Sequence, residues 1–250
     1  MKSAEEHAAW LAERNNFCTA SDVAAVLGLS PHKTRTQVFK QKSQNLPGPN
    51  IDRVPAVMAG KHFESGVLSW HLAHRDLEGV GWNEYVNDGI IQEEGNEPSF
   101  ASRVTDTGLV RHPSCAALAA TPDALVWGPD QVVHVTEIKY VDRDKHKTDW
   151  AQPWVMTPTG STNKPTTVIL HAAKWQGIDP SRLFAPVYYW VQLQAQMACL
   201  NIEYGRIVVA FGQARADLDY PLDRAFESYM IREVARFWAE VVAARELLKS

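Results

Sequence analysis

The spacing of hydrophobic positions changes period several times along this chain. Residues 5–14 read as a short helix, and Ser21-Asp22 can cap a second one that runs through Val23, Val26 and Leu27 until Gly28. After a Pro-, Gly- and Asn-containing loop at 46–50, Phe63, Val67 and Trp70 fall at helical spacing, which predicts a long helix over about 55–77. From 81 to 111 the apolar runs shorten, as in Gly89-Ile90-Ile91 and Gly108-Leu109-Val110, and polar breakers bound them; this suits strands and turns. Residues 124–127 and 132–139 form two further runs joined by Gly128-Pro129-Asp130, a hairpin signal. No sustained period appears over 141–165, which reads as a long functional loop or a partly helical insertion. A helix over 186–200, a strand over 204–211 and a long amphipathic helix over 224–248 complete the pattern. This order predicts an α/β fold with a central mixed sheet flanked by helices.

Composition narrows the setting. With 250 residues, 45% hydrophobic and 22% charged, the chain can bury a sizeable core and is expected to form one domain over 1–250 with a long loop or insertion at about 141–185. A formal charge of −4 argues against a cationic surface overall, yet leaves room for a local basic groove that holds a phosphate backbone. Cys18, Cys115 and Cys199 stand far apart without a CxxC pair, which suggests neither a zinc ribbon nor a disulfide framework. Three cysteines also cannot supply the four ligands of an iron–sulfur cluster. The polar N-terminus and the lack of a long apolar run argue against secretion and membrane insertion, so a cytoplasmic location is expected.

The chemistry centres on Thr121-Pro122-Asp123 and, after thirteen intervening residues, Glu137-Ile138-Lys139. Side chains two apart on a strand share a face, so Glu137 and Lys139 project together, and a hairpin brings Asp123 beside them. Mg²⁺ takes hard oxygen ligands at about 2.0–2.1 Å and completes its shell with water and phosphate oxygens. Asp123 and Glu137 suit such an ion, and the Ile138 carbonyl can add a ligand. Lys139 can then orient a metal-bound water and stabilise developing negative charge. Taken alone, the same residues also read as a turn aspartate and two solvated strand charges.

Their neighbours change that balance. The strings LAATPDALV and VTEIKY resemble the core of YqaJ-type viral recombinases and lambda-type exonucleases, a branch of the PD-(D/E)XK nucleases. The run from Arg14 through Thr19-Ala20-Ser21-Asp22 is similar to that family's N-terminal segment, in which an arginine and a T-A-S-(D/E) turn approach DNA phosphates. The resemblance implies those roles for Arg14 and Ser21. Gly60-Lys61-His62-Phe63-Glu64 is similar to the family helix whose glutamate lies near the metal, which assigns that role to Glu64. Tyr188 to Met197 resembles the family's QxQ helix, whose second glutamine lies at the active centre; Gln194 is the matching position, and Gln192 stands beside it as a DNA-contact candidate. Two departures are Ala124, where the family has glycine, and a long segment between Lys139 and the QxQ helix.

Each added residue also has a plainer explanation. Glu64 reads as a buried ion-pair partner leaning toward an apolar helix face, Gln194 as an internally bonded amide, Arg14 as a surface charge and Ser21 as a helix cap. His112, His134 and His146 lack metal-ligand spacing. Lys145, His146 and Lys147 alternate with aspartates and read as a solvated loop, in which Trp150 and Trp154 are weak candidates for base stacking.

The resemblance implies a Mg²⁺-dependent exonuclease, with Mn²⁺ able to substitute, acting 5′ to 3′ on double-stranded DNA ends. It further implies a single-strand annealing recombination partner and a trimeric ring. The alternatives are a site-specific or nicking endonuclease on the same core, or a catalytically silent DNA-binding protein.

Overall fold

The computed structural model describes residues 4–48, 104–105, 108–127, 133–141, 185–211 and 214–249, together with helical residues 58–60, 62–64 and 66–67. Three helices open the chain: α1 (Ala4–Arg14), α2 (Ala20–Val26) and α3 (Arg35–Ser43). The cap of α2 is Thr19 rather than Ser21-Asp22, because the chain already turns helical at Ala20. Asp22, three residues on, accepts from the Thr19 backbone N–H at 3.3 Å and from its hydroxyl at 2.8 Å. Gly28 ends α2 with a φ of 75°. Its N–H donates to Ala25 and the Leu29 N–H donates to Ala24, the paired bonds of a Schellman turn.

Among the described residues, eight strands form two sheets. The smaller joins β1 (Cys18–Thr19) in parallel to β4 (Leu118–Ala120), which pairs antiparallel with β3 (Val110–Arg111). The larger has the order β2-β5-β6-β7-β8, with β2 (Val104–Thr105), β5 (Ala124–Trp127), β6 (Val133–Val141), β7 (Tyr204–Phe211) and β8 (Ala214–Pro221). Within it β6 and β7 are parallel and the other neighbours antiparallel. The hairpin expected at 124–139 is present, in the register Ala124 to Thr136. The strand β8 was not anticipated, although Ala216-Asp217-Leu218-Asp219-Tyr220 alternates apolar and polar residues at the strand period. The expected strand at 89–91 lies outside the described residues, as does the loop expected over 141–165 except for Val141, which ends β6.

Helix α4 (Val187–Leu200) packs one face of the large sheet against α2, and α5 (Arg224–Leu247) closes the core over α2 and α3. The approach of α4 is close at Gly205 on β7: a Cβ there would meet Met197 Sδ at 2.7 Å and Leu193 Cδ1 at 2.9 Å, so those side chains would have to shift. Strand alternation divides β6 and β7 between two apolar layers. Val135, Val141, Ile207 and Val209 join the main core under α4. Ile138, Val208 and Ala210 face the other way, where Val67 and Tyr140 cover them. Phe63 stacks on Tyr140 with centroids 4.6 Å apart, so the helical segment carrying Phe63 and Val67 lies on this second face. No described helix is long and apolar enough to cross a membrane.

Candidate active site

The hairpin does for Asp123 what its spacing promised. Asp123 immediately precedes β5, and its Oδ2 accepts the Ile138 backbone N–H at 2.7 Å, which fixes the carboxyl against the middle of β6. Glu137 and Lys139 share the α4-facing side of that strand, and the Lys139 ammonium is hydrogen-bonded to Glu137 Oε1. Glu137 is buried, so its oxygens need partners to replace water.

Each charge of the trio acts on the other two. Burial, then repulsion from Glu137 and more weakly from Glu64, pushes the Asp123 carboxyl up to about 8, against the opposing effects of Lys139 and the Ile138 N–H. For Lys139, burial works against the ammonium, but Glu137 and Asp123 outweigh it and raise its pKa above the ordinary lysine value. Lys139 is therefore held protonated and acts as a donor and a positive charge, not as a base. It also lies 5.0 Å from the centroid of the Tyr189 ring.

Helix α4 supplies the remaining partners of Glu137. Gln192 donates to Oε1, and Gln196 donates to Oε2 at 2.5 Å. Gln194 does not reach the site. Its Nε2 donates to the Pro221 carbonyl at 2.9 Å, and its Oε1 accepts the Asp223 N–H at 2.8 Å. The correction follows from helical geometry. Positions i and i+4 share a face while i+2 points away, so a glutamine two residues after Gln192 must turn from Glu137 and the one four residues after must turn toward it. Gln196 was missed because the two-residue motif was carried over without that period. Gln192, expected at DNA, has its partner inside the centre.

At the N-terminus, Arg14 donates to the Ser21 hydroxyl at 3.2 Å, and its guanidinium stacks over Trp10 at 4.4 Å. Burial lowers the Arg14 pKa, partly offset by Asp22 and by Glu137, which brings this pair within electrostatic range of the carboxylates. Beneath it Asp22 pairs with Lys33 at 2.9 Å and with Lys42 at 3.0 Å, and Lys42 also donates to the Arg14 carbonyl at 3.0 Å. Asp22 thus ties the T-A-S-D turn to α3, a task beyond capping.

The sequence matches the YqaJ-like viral recombinase domain over residues 9–203. The chain belongs to that family. Its fold is similar to that of an alkaline exonuclease, LHK-Exo from Laribacter hongkongensis, at a TM-score of 0.55 and 21% identity, covering 97% of this chain and 96% of that one. The structure of LHK-Exo in complex with dAMP gives a TM-score of 0.55 at 20% identity with the same coverage. Among curated proteins, no sequence matches the chain.

In this YqaJ-like domain Glu64 is exposed rather than leaning into an apolar face, while its charge still reaches Asp123. Among the described residues no three His, Cys, Asp or Glu side chains converge on one metal position. The donor set nevertheless fits a hard divalent cation. Burial and then the charge of Glu137 drive Asp123 to retain a proton, a cost that a bound cation would relieve, and Mg²⁺ commonly takes only one or two protein carboxylates. His112 is engaged elsewhere: its Nδ1 accepts the Cys115 N–H at 3.1 Å. Lys145, His146, Lys147, Trp150 and Trp154 lie outside the described residues.

Proposed function

We propose that this protein is a Mg²⁺-dependent exonuclease that hydrolyses phosphodiester bonds at the ends of linear double-stranded DNA, in the 5′ to 3′ direction. The observation that carries the proposal is the joining of Asp123, Glu137 and Lys139 in one partly buried cluster, with Glu137 sealed at its centre. Family membership supports a nuclease, and the solved structure it resembles is named an alkaline exonuclease.

In this reading Asp123 and Glu137 would hold the divalent ion, and the Ile138 carbonyl and Glu64 would be its further protein partners. The ion supplies Lewis acidity toward the scissile phosphate and a more acidic bound water. Lys139, kept cationic by Glu137, donates to the attacking water and to the phosphoryl oxygens as their negative charge grows. Arg14 and Ser21 bind a DNA phosphate, where a guanidinium and a hydroxyl side by side offer several donors to one anion. The product single strand would pass to an annealing recombination partner, and a trimeric ring would keep the duplex threaded.

A time course on linear duplex labelled separately at its 5′ and 3′ ends, with and without Mg²⁺, tests activity and direction together. Immediate release of the 5′ label, abolished by Glu137→Gln, is expected. Cutting of closed circular DNA at a rate matching linear DNA would replace the end-dependent reading with an endonuclease.

A further inference from the structure

Gln196 is fully buried and spends its amide in an uneven way. Its Nε2 donates to Glu137 Oε2 at 2.5 Å, while its Oε1 has no hydrogen-bond partner among the described residues. An ionised carboxylate only accepts, so the nitrogen must face Glu137 and the carbonyl oxygen is the atom left over. A methionine would fill similar space without stranding a polar atom, and a buried unmet acceptor works against folding. The compensation for keeping glutamine at this position lies in what it does to Glu137.

That effect can be stated geometrically. A carboxylate offers roughly four lone-pair sites, two on each oxygen. Lys139 and Gln192 occupy Oε1, and Gln196 occupies one site on Oε2. The acceptor site left over belongs to Oε2. We propose that Gln196 is a positioning residue for the metal-binding carboxylate: together with Gln192 it clamps Glu137 from one face of α4 and presents a single Oε2 lone pair to the divalent ion. Without Gln196 the carboxylate rotates about its terminal bond, and the ion meets a ligand that is no longer fixed. The inference rests on the metal reading of Asp123 and Glu137, and its test separates the two.

Mn²⁺ binding to the full chain is measured by calorimetry or by the electron paramagnetic resonance of the free ion, beside steady-state kinetics on linear duplex. Gln196→Met should weaken Mn²⁺ binding by roughly 10–100-fold, the range for partners that orient a metal ligand. It should lower kcat at limiting metal and leave KM for DNA ends within about twofold, since binding of the DNA itself is untouched. Gln196→Asn, which keeps an amide but falls short of Oε2, should show the same loss, and it carries the test if the methionine variant does not fold. Gln194→Met on the same helix should keep wild-type Mn²⁺ affinity. Wild-type Mn²⁺ affinity in a folded Gln196 variant overturns the inference and leaves the metal reading intact. Mn²⁺ binding that survives in folded Glu137→Gln and Asp123→Asn variants overturns the metal reading itself.

Discussion

The Lys42 ammonium lies 3.0 Å from Asp22 Oδ2 with both groups almost sealed from water, so the N-terminal segment turns on an internal ion pair. Because Lys42 also donates to the Arg14 carbonyl, the pair fixes the backbone that carries the proposed phosphate-binding arginine. Removing one partner strands the other charge in a poorly solvated place. Asp22→Ala should therefore cost about 3–5 kcal/mol of stability, read from the midpoint of urea unfolding. A loss below about 1 kcal/mol would mean that water reaches Lys42 and that the pair does not organise the turn.

The same pair predicts an acid-sensitive stability. Burial alone would raise the Asp22 carboxyl, but Lys42 and Lys33, with hydrogen bonds from Lys33 and Thr19, outweigh it and hold it far below the ordinary aspartate range. The unfolded chain then binds this proton more tightly than the folded one. The stabilisation is complete above the ordinary aspartate pKa and drains away as pH falls through it toward the folded-state value. Thermal unfolding of wild type and Asp22→Asn across pH 2–7 should differ most near neutrality and converge at the acid end. Parallel curves across the whole range would refute the assignment.

At the centre, Lys139→Met removes a donor and a charge without disturbing the strand pairing of β6. Loss of one charge-stabilising donor lowers kcat by about 10²–10³-fold. The measurement is initial degradation rate with saturating Mg²⁺ and DNA, alongside a melting curve to establish folding. A decrease smaller than tenfold in a folded variant would remove Lys139 from the chemistry.

The packing of α4 on β7 is tight enough to test separately. A methyl group on Gly205 would press on Met197 and Leu193, and overpacking of this kind costs about 1–3 kcal/mol. Gly205→Ala should lower the melting temperature by about 2–4 °C per kcal/mol in a chain of this size. Adding Met197→Ala should recover part of the loss that Gly205→Ala causes in its presence, because the two changes share one space. Strict additivity of the two would show that the sheet yields instead.

The fold and the grouping of Asp123, Glu137 and Lys139 were legible in sequence because they depend on short-range periods. Two residues apart on β6 put Glu137 and Lys139 on one face, and a hairpin of fixed register returned Asp123 to them. What sequence left hidden depends on partners far along the chain. The helical period sets Gln194 apart from Gln192 and Gln196, but which side of α4 meets Glu137 is decided by distant partners, with residues 221 and 223 on one side and Glu137 on the other. Asp22 read as a cap because its lysine partners come eleven and twenty residues later, from the approach to α3 and from α3 itself. The strand β8 carried an alternating signal, but two aspartates within it resemble a turn until the pairing with Arg206 on β7 is seen, at 2.5 Å to Asp219 and 3.6 Å to Asp217.

The proposed DNA contact of Arg14 separates charge from shape. Its guanidinium donates to Ser21 and stacks on Trp10, two features a lysine cannot reproduce together. If Arg14 neutralises one phosphate, Arg14→Ala should weaken binding of linear duplex and reduce the slope of log affinity against log salt by about 0.9, the release associated with one contact. Arg14→Lys should keep the slope and still weaken binding, because the charge persists while its anchoring is lost. Fluorescence anisotropy of labelled duplex in Ca²⁺, over a series of salt concentrations, gives both quantities without turnover. An unchanged slope in Arg14→Ala would place the guanidinium away from the DNA and leave it the structural task of tying α1 to the T-A-S-D turn.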